Sequence, residues 1–467
     1  MRFAGISRRA MIRAGLLFGL GMAASAPTAA VAQDRGFAPG ARPNIVFILA
    51  DDLAYADLSI YGRRDYTTPN IDALARSGVR LTQGYASSPV CSPSRAGIVT
   101  GLHPDRQSVG LPEPGGDEAS FGLPADTPTL PGELRKLGYR TTLIGKWHLG
   151  APPNFGPRKN GYDSFYGFYE GTTDYFRYKA WGGGAALVDN GEIVDSDRYL
   201  TDVLADRAAT EIDGLAKAKQ PFFLSLHFNA PHWPWEGPND RKHAEELTDI
   251  YDRSGGSLTT FAEMVERLDA GVGKVLAALE SNGLTDNTIV IFTSDNGAER
   301  FGDSWPFIGM KTELLEGGLR VPLILRWDGH FTPNAVNDQV VSNLDFMPTL
   351  LSAAGAPDRR IDGLKLDGKN VLRILENREK PVSRTLYWRY KARDQAAIRD
   401  GQWKYLKISG EEHLFDLDKD VRERADVKEL NPQIFLKLKI KYEKWHGNML
   451  PYPAKSYSHN IRDMMVD

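Results

Sequence analysis

Four short runs of apolar residues, each closing on a cluster of polar side chains, constrain this chain more than any other feature. Asn44-Ile45-Val46-Phe47-Ile48-Leu49-Ala50 leads into Asp51-Asp52, and Tyr139 to Ile144 leads into Gly145-Lys146-Trp147-His148. Phe222 to Phe228 leads into Asn229-Ala230-Pro231-His232, and Thr288 to Thr293 leads into Ser294-Asp295-Asn296. A strand with one face in water alternates apolar and polar residues, so runs without alternation belong in a sheet covered on both faces. In open α/β sheets ligands collect beyond the carboxyl ends of the strands, so four polar ends could converge on one site.

Helical patterns lie between the runs. Thr68-Pro69-Asn70-Ile71-Asp72-Ala73-Leu74-Ala75-Arg76-Ser77-Gly78 has proline near its start and glycine past its end, the usual asymmetry of a short helix. Thr259 to Ser281 keeps an apolar stripe at helical spacing directly before the fourth run. The alternation predicts an α/β class: a large, mostly parallel central sheet flanked by helices. Beyond residue 380 come the aromatic-rich runs Thr385–Tyr390, Ala396–Arg399 and Trp403–Ile408, with Asp400-Gly401 as a hairpin turn, then a helix from about Asn431 to Trp445. They predict a smaller C-terminal α+β subdomain containing an antiparallel sheet.

The first residues read as an address rather than as fold. Ser7-Arg8-Arg9-Ala10-Met11-Ile12-Arg13 precedes a weakly apolar stretch, and Ala30-Val31-Ala32 offers a small-residue cleavage site. This is the pattern of a twin-arginine export signal, and the apolar stretch is short of the about 20 residues a membrane span needs. The expected organisation is therefore a signal peptide at 1–32, a catalytic α/β domain at 33–380 and the C-terminal subdomain at 381–467. The expected location is the periplasm or the exterior, reached through the twin-arginine export machinery, with no stable membrane association after cleavage. A net charge of -3 gives no global field for nucleic acid, so any anion must be held by local groups.

The chain has one cysteine, Cys91, in Cys91-Ser92-Pro93-Ser94-Arg95-Ala96-Gly97-Ile98-Val99-Thr100-Gly101. A single thiol forms no intrachain disulfide and shares no metal with a second thiolate. A lone cysteine is often an inert buried hydrophobe, but Arg95 brings a permanent cation that an apolar pocket would not accommodate. Cys-x-Pro-Ser-Arg followed by Thr-Gly resembles the signature of type I sulfatases, members of the alkaline phosphatase superfamily. The resemblance implies that Cys91 is oxidised by a formylglycine-generating maturation enzyme to 3-oxoalanine (formylglycine), whose hydrate is the nucleophile. A twin-arginine substrate crosses folded, so conversion would come in the cytoplasm, before or during folding.

Asp51, Asp52, Asp295 and Asn296 make an all-oxygen set. Alone, an Asp-Asp pair after an apolar run caps a helix or sits in a solvated loop. A second acid-amide pair after another buried run points instead to a hard divalent cation. These four match the family's metal positions, which implies Ca²⁺, with Mg²⁺ the alternative, and with the Cys91-derived hydrate completing the shell.

Cleaving a sulfate ester needs fixed cations and an acid, because the leaving oxygen gains charge. Gly145-Lys146-Trp147-His148-Leu149-Gly150, Ala230-Pro231-His232-Trp233-Pro234 and the stretch opening at Lys311 resemble further sulfatase signatures. By that resemblance Arg95 holds the nucleophile, Lys146 bridges it and the sulfate, His148 is the base for sulfate release, and His232 with Lys311 serves the departing alcohol. Lys146, His232 and Lys311 would also bind substrate. A supplementary hydroxyl falls at Thr172 or Thr173, and Glu316-Gly317-Gly318 is read as shaping the turn that presents Lys311. His103 and His227 are read as structural.

The expected reaction is sulfuric ester hydrolysis, with aryl sulfates as surrogate substrates. Asp174 to Trp181, Trp233 and Trp235 supply aromatic rings and positive charge, which suit either a sulfated carbohydrate or the packing of loops over the sheet. Two alternatives stand beside this reading: a phosphonate monoester or phosphodiester hydrolase of the same superfamily, and a catalytically silent protein that binds sulfated glycans.

Overall fold

The first apolar run, β1 (Asn44–Ala50), is buried along its whole length and stands in the middle of the large sheet. Its residues divide between two cores: Val46, Ile48 and Ala50 face one, while Ile45, Phe47 and Leu49 face the other. That is why the run cannot alternate, since every position has an apolar neighbour to meet. Each of the five larger side chains contributes about 1.5–3 kcal/mol by leaving water.

The chain is described from a computed structural model covering residues 42–111, 120–179, 186–250, 253, 255–454, 456 and 458. The expected export signal and Ala180 and Trp181 of the aromatic loop lie outside the described residues. Among those described, the large sheet adds β2 (Val79–Tyr85), β3 (Arg140–Lys146), β4 (Ser164–Phe168), β5 (Val188–Asp189), β6 (Glu192–Ile193), β7 (Phe222–His227), β8 (Thr288–Ser294), β9 (Arg320–Arg326) and β10 (Ala335–Asn337). Their order is β10-β2-β9-β8-β1-β7-β3-β4-β5-β6, with a short β11 (Val341–Ser342) beside β2. The central five strands, β8-β1-β7-β3-β4, are mutually parallel, and antiparallel pairs appear only outside them.

One face carries the helices Pro69–Arg76, Leu200–Ala218 and Leu258–Ser281, and the other carries Cys91–Thr100, Leu130–Lys136 and Phe346–Ala353. The helix Leu258–Ser281 is capped by Ser257, whose hydroxyl accepts from the Thr260 N–H at 3.0 Å. The helix Pro69–Arg76 borrows its cap from it: the Asp269 carboxylate accepts from the N–H groups of Asn70 and Ile71.

The smaller sheet is an antiparallel meander, β12 (Thr385–Tyr390), β13 (Gln395–Asp400), β14 (Trp403–Ile408) and β15 (Glu411–Asp416). Gly401, at φ 62°, makes the expected turn after β13. One face packs Leu386, Trp388, Leu406 and Phe415 against Tyr85, Val90, Leu314 and Leu319; the other packs Ile398, Tyr405 and Leu414 against the helix Pro432–His446. Both sheets lie within one compact unit, Gly40–Asp467.

Candidate active site

Because β8, β1, β7 and β3 are parallel neighbours, their polar ends emerge side by side. The register sets Ala50 against Ser294, and His227 against both Leu49 and Gly145. Asp51, Asp52, Asp295, Asn296 and Lys146 therefore start from adjacent strand ends. Cys91 joins them as the first residue of the helix Cys91–Thr100, all ten residues of which are buried. Its Sγ lies 3.4 Å from Oδ1 of Asp51 and 3.9 Å from Oδ1 of Asp52.

Three cations hold the three carboxylates. Nζ of Lys146 meets Oδ2 of Asp51 at 2.5 Å, and Nζ of Lys311 meets Oδ2 of Asp52 at 2.8 Å. Arg95 donates from Nε to Oδ2 of Asp295 at 2.8 Å and from Nη1 to the Lys146 carbonyl at 3.1 Å, and its Nη2 lies 3.5 Å from Asp51. The Lys311 ammonium also stands 3.2 Å from Nε2 of His232. His148, two residues after Lys146, is buried, and its backbone N–H is donated to the Tyr169 carbonyl at 3.0 Å. A Cβ at position 171 would come within 2.7 Å of the His148 ring, so glycine there leaves room for the imidazole in its present position.

Burial dominates the electrostatics. It pushes Asp51 up to about 7, helped by the like charge of Asp295 and opposed by Lys146 and Arg95. Burial also raises Asp295, yet Arg95 and then Lys146 and Lys311 outweigh it and leave that carboxyl below its usual range. Burial lifts the Cys91 thiol well above its ordinary value, so the unmodified side chain is a neutral thiol and a poor nucleophile. His232 is held neutral by burial and by Lys311.

The residues fit a hard cation. Asp51, Asp52 and Cys91, with His232, bring ligand atoms within 4.8 Å of one another. Asn296 donates its amide N–H groups to Asp52 at 2.7 Å and to the Gly297 carbonyl at 3.0 Å, while its buried Oδ1 has no hydrogen-bond partner. A buried acceptor left over beside three carboxylates is what an oxygen-ligated Ca²⁺ or Mg²⁺ would complete.

Some neighbours were not singled out in the sequence. Glu299 stands 3.7 Å from the Lys311 ammonium and 3.6 Å from Nη1 of Arg253, and burial pushes its carboxyl up to about 8. Only its place between Asn296 and Lys311 could have marked it. His227, read as structural, stands directly behind the cations, with Nδ1 3.0 Å from the Lys146 carbonyl and 3.5 Å from Arg95. Glu316 does shape the turn after Lys311, and does so through a buried knot: its carboxylate takes Lys404 at 2.9 Å, Arg320 at 2.7 Å and the Tyr85 hydroxyl at 2.6 Å. Glu423 adds to it, accepting from the Glu316 N–H at 2.6 Å and from Lys404 at 2.8 Å.

Of the two candidate hydroxyls, Thr172 donates to the Trp233 carbonyl at 2.7 Å and Thr173 to the Lys179 carbonyl at 3.0 Å, so both are turned to backbone. Trp233 and Trp235 are each 4% exposed, and Tyr175, Phe176 and Tyr178 are also buried. For these rings the packing alternative holds. Nε2 of His103 donates to the Tyr387 carbonyl, 2.8 Å away, which ties it to the small sheet.

A parallel sheet whose strand ends gather acids and cations around a residue at a helix start is the arrangement of the alkaline phosphatase superfamily. The family model described as Sulfatase matches residues 43–356, and the chain belongs to that family. A second model, N-sulphoglucosamine sulphohydrolase, C-terminal, matches residues 310–445. The chain is 33% identical over 358 residues to the N-acetylgalactosamine-6-sulfatase of Rattus norvegicus, covering 69% of this chain and 65% of that one. It thus spans just under two thirds of that relative's length. Against arylsulfatase A of Homo sapiens it is 33% identical over 401 residues, covering 79% and 75%. The crystal structure of Ps i-CgsB superposes with a TM-score of 0.80 at 33% identity, covering 91% of this chain and 96% of that one. The same protein is also solved in complex with k-i-k-neocarrahexaose. The phosphonate monoester hydrolase of Agrobacterium radiobacter shares the fold, with a TM-score of 0.62 at 22% identity.

Proposed function

We propose that this protein is a sulfuric ester hydrolase acting on a sulfated saccharide, with Cys91 converted to 3-oxoalanine and a divalent cation, Ca²⁺, held by Asp51, Asp52, Asp295 and Asn296. The observation that carries the reading is the position of Cys91: its Sγ is 3.4 Å from Asp51, whose other oxygen holds Lys146 at 2.5 Å. Nucleophile, metal ligand and anion-binding cation thus share one carboxylate.

The hydrated aldehyde supplies two hydroxyls, one to attack sulfur and one through which sulfate is released, and the cation supplies charge to activate the first. Arg95, fixed by Asp295, keeps the side chain at position 91 oriented. Lys146, held on Asp51, and Lys311, held on Asp52, neutralise the sulfate oxygens. Lys311, donating toward the lone pair of neutral His232, places a proton where the departing alcohol needs one. His148 is the base for the release step.

The saccharide is supported by the named relatives, one of which acts on an amino sugar sulfate and one of which is solved with a carrageenan oligosaccharide. We also propose that the chain is exported to the periplasm or beyond, on the strength of the twin-arginine pattern alone.

The deciding experiment pairs turnover with chemistry at position 91. The enzyme, co-expressed with a formylglycine-generating enzyme, is assayed on 4-nitrophenyl sulfate, phosphate and phosphonate and on sulfated oligosaccharides, while mass spectrometry follows the Cys91 peptide. Sulfate preference that rises with the fraction converted is expected. Phosphonate preference, or full turnover with an unmodified thiol, overturns the reading.

A further inference from the structure

The aromatic surface expected at Trp233 and Trp235 is buried, whereas Trp305 is 59% exposed. A single exposed apolar residue is ordinary, but an indole in water is a flat surface that a ligand ring can reach. Trp305 lies on the loop between Asn296 and Lys311, the loop that carries both a metal-ligand candidate and a catalytic cation. Its backbone is firmly held. The Trp305 N–H donates to Oδ1 of Asp303 at 2.8 Å, and the Asp303 N–H donates to Oδ1 of Asp57 at 2.8 Å. The Asp303 carbonyl in turn accepts from Ala56, on the turn that follows Asp51 and Asp52, at 2.8 Å.

A cation accompanies the ring. The guanidinium carbon of Arg422 lies 5.0 Å from the Trp305 centroid. Arg422 is positioned by its neighbour Glu423, whose carboxylate is locked to Glu316 and Lys404. The indole face turned away from Arg422 matches the C–H face of a pyranose, and a guanidinium matches a sulfate or carboxylate with two parallel donors. Both groups are pre-placed, so little conformational freedom is lost when a ligand arrives.

We propose that Trp305 and Arg422 form an outlying subsite that stacks one pyranose ring of an anionic glycan chain and pairs with its sulfate or carboxylate, a ring other than the one whose ester is cut. The proposal rests on the saccharide reading above and deepens it: the substrate is an oligomer recognised over more than one sugar.

The test compares wild type with Trp305→Ala and Arg422→Gln as converted enzymes. Probes are 4-nitrophenyl sulfate and hexasaccharides of κ/ι-carrageenan, chondroitin sulfate and heparan sulfate. Both variants are expected to raise KM roughly tenfold for whichever hexasaccharide the wild type cuts, with kcat/KM on 4-nitrophenyl sulfate unchanged. Trp305→Tyr should restore most of the loss. An unchanged oligosaccharide KM, or an equal loss on both kinds of substrate, overturns the subsite. If the wild type cuts 4-nitrophenyl sulfate but no hexasaccharide, the saccharide reading fails and the subsite with it. Electrophoresis of the same variants through gels containing each polysaccharide reports binding apart from turnover, and equal retardation of wild type and both variants also overturns the subsite.

Discussion

Nζ of Lys311 stands 3.2 Å from Nε2 of His232, and Nδ1 of the same ring lies 2.6 Å from the Trp233 carbonyl. The carbonyl can only accept, so Nδ1 carries the proton and Nε2 turns its lone pair to the ammonium. In the proposed reaction, lysine and histidine act as one proton-delivering unit. Removing either, as Lys311→Ala or His232→Ala, should lower kcat about 10²-fold or more for sugar sulfates, whose leaving groups need a proton. For 4-nitrophenyl sulfate, whose leaving group is stable as an anion, the loss should be far smaller. Steady-state kinetics on the two esters decide it, and equal losses would remove both residues from that role.

Cys91→Ala should leave a folded protein that binds Ca²⁺ and has no turnover. The side chain packs at the head of a helix held by Arg95, Ser94 and their partners, so its loss removes few contacts. Circular dichroism, calcium titration and assay of one preparation check all three parts. Near wild-type activity would sink the mechanism.

Asn296→Ala should weaken the cation site specifically. It removes the leftover acceptor Oδ1 and also the amide that donates to Asp52. Wild type is expected to gain about 2.7 kcal/mol of stability when free Ca²⁺ is 100-fold above its dissociation constant. The variant should show a much smaller gain at the same concentration, read from melting curves with and without chelator.

His227 makes stability depend on pH. Burial, reinforced by the Arg95 charge, takes its folded value down to about 3 from the ordinary 6.5. Between those limits the unfolded chain binds a proton that the folded chain refuses. The stability is thus complete above 6.5 and falls as pH drops toward 3, by about 1.4 kcal/mol per pH unit from this one group. His227→Gln, which keeps a donor for Lys146, should flatten that slope in denaturant titrations run from pH 4 to 7.

Lys404→Met should be costly even though it lies far from Cys91 in sequence. It strips the cation from buried Glu423 and leaves buried Glu316 with Arg320 alone, and an uncompensated buried charge destabilises by about 3–5 kcal/mol. Urea denaturation measures the loss. A double substitution Lys404→Met with Glu423→Gln should recover part of it.

Four of the five central strands, β1, β3, β7 and β8, were legible because burial on both faces forces an unbroken apolar run, as in β1. β15 was not: Glu411 is exposed, Glu412 and His413 are only half-buried, and only Leu414-Phe415-Asp416 is buried, so no apolar run of the required length exists. The site was legible where a residue stood at the end of a run or in a recognisable signature, and Asp51, Asp52, Cys91, Arg95, Lys146, His232, Asp295, Asn296 and Lys311 form one contact network. Glu299 was silent because Gly297-Ala298-Glu299-Arg300 has no periodicity, and its partners come from distant segments. Exposure was the hardest to foresee: nothing in the sequence distinguishes Trp233, which is packed, from Trp305, which stands in water.

Cys91 is 2% exposed, at the head of a helix with no residue at the surface. Another protein cannot close its own active site around a thiol walled in this way. Any enzymatic change at Cys91 therefore belongs to the interval between synthesis and closure of the sheet. If Cys91 is converted as proposed, folding rate and maturation compete, and the specific activity of a preparation would record which of the two ran faster.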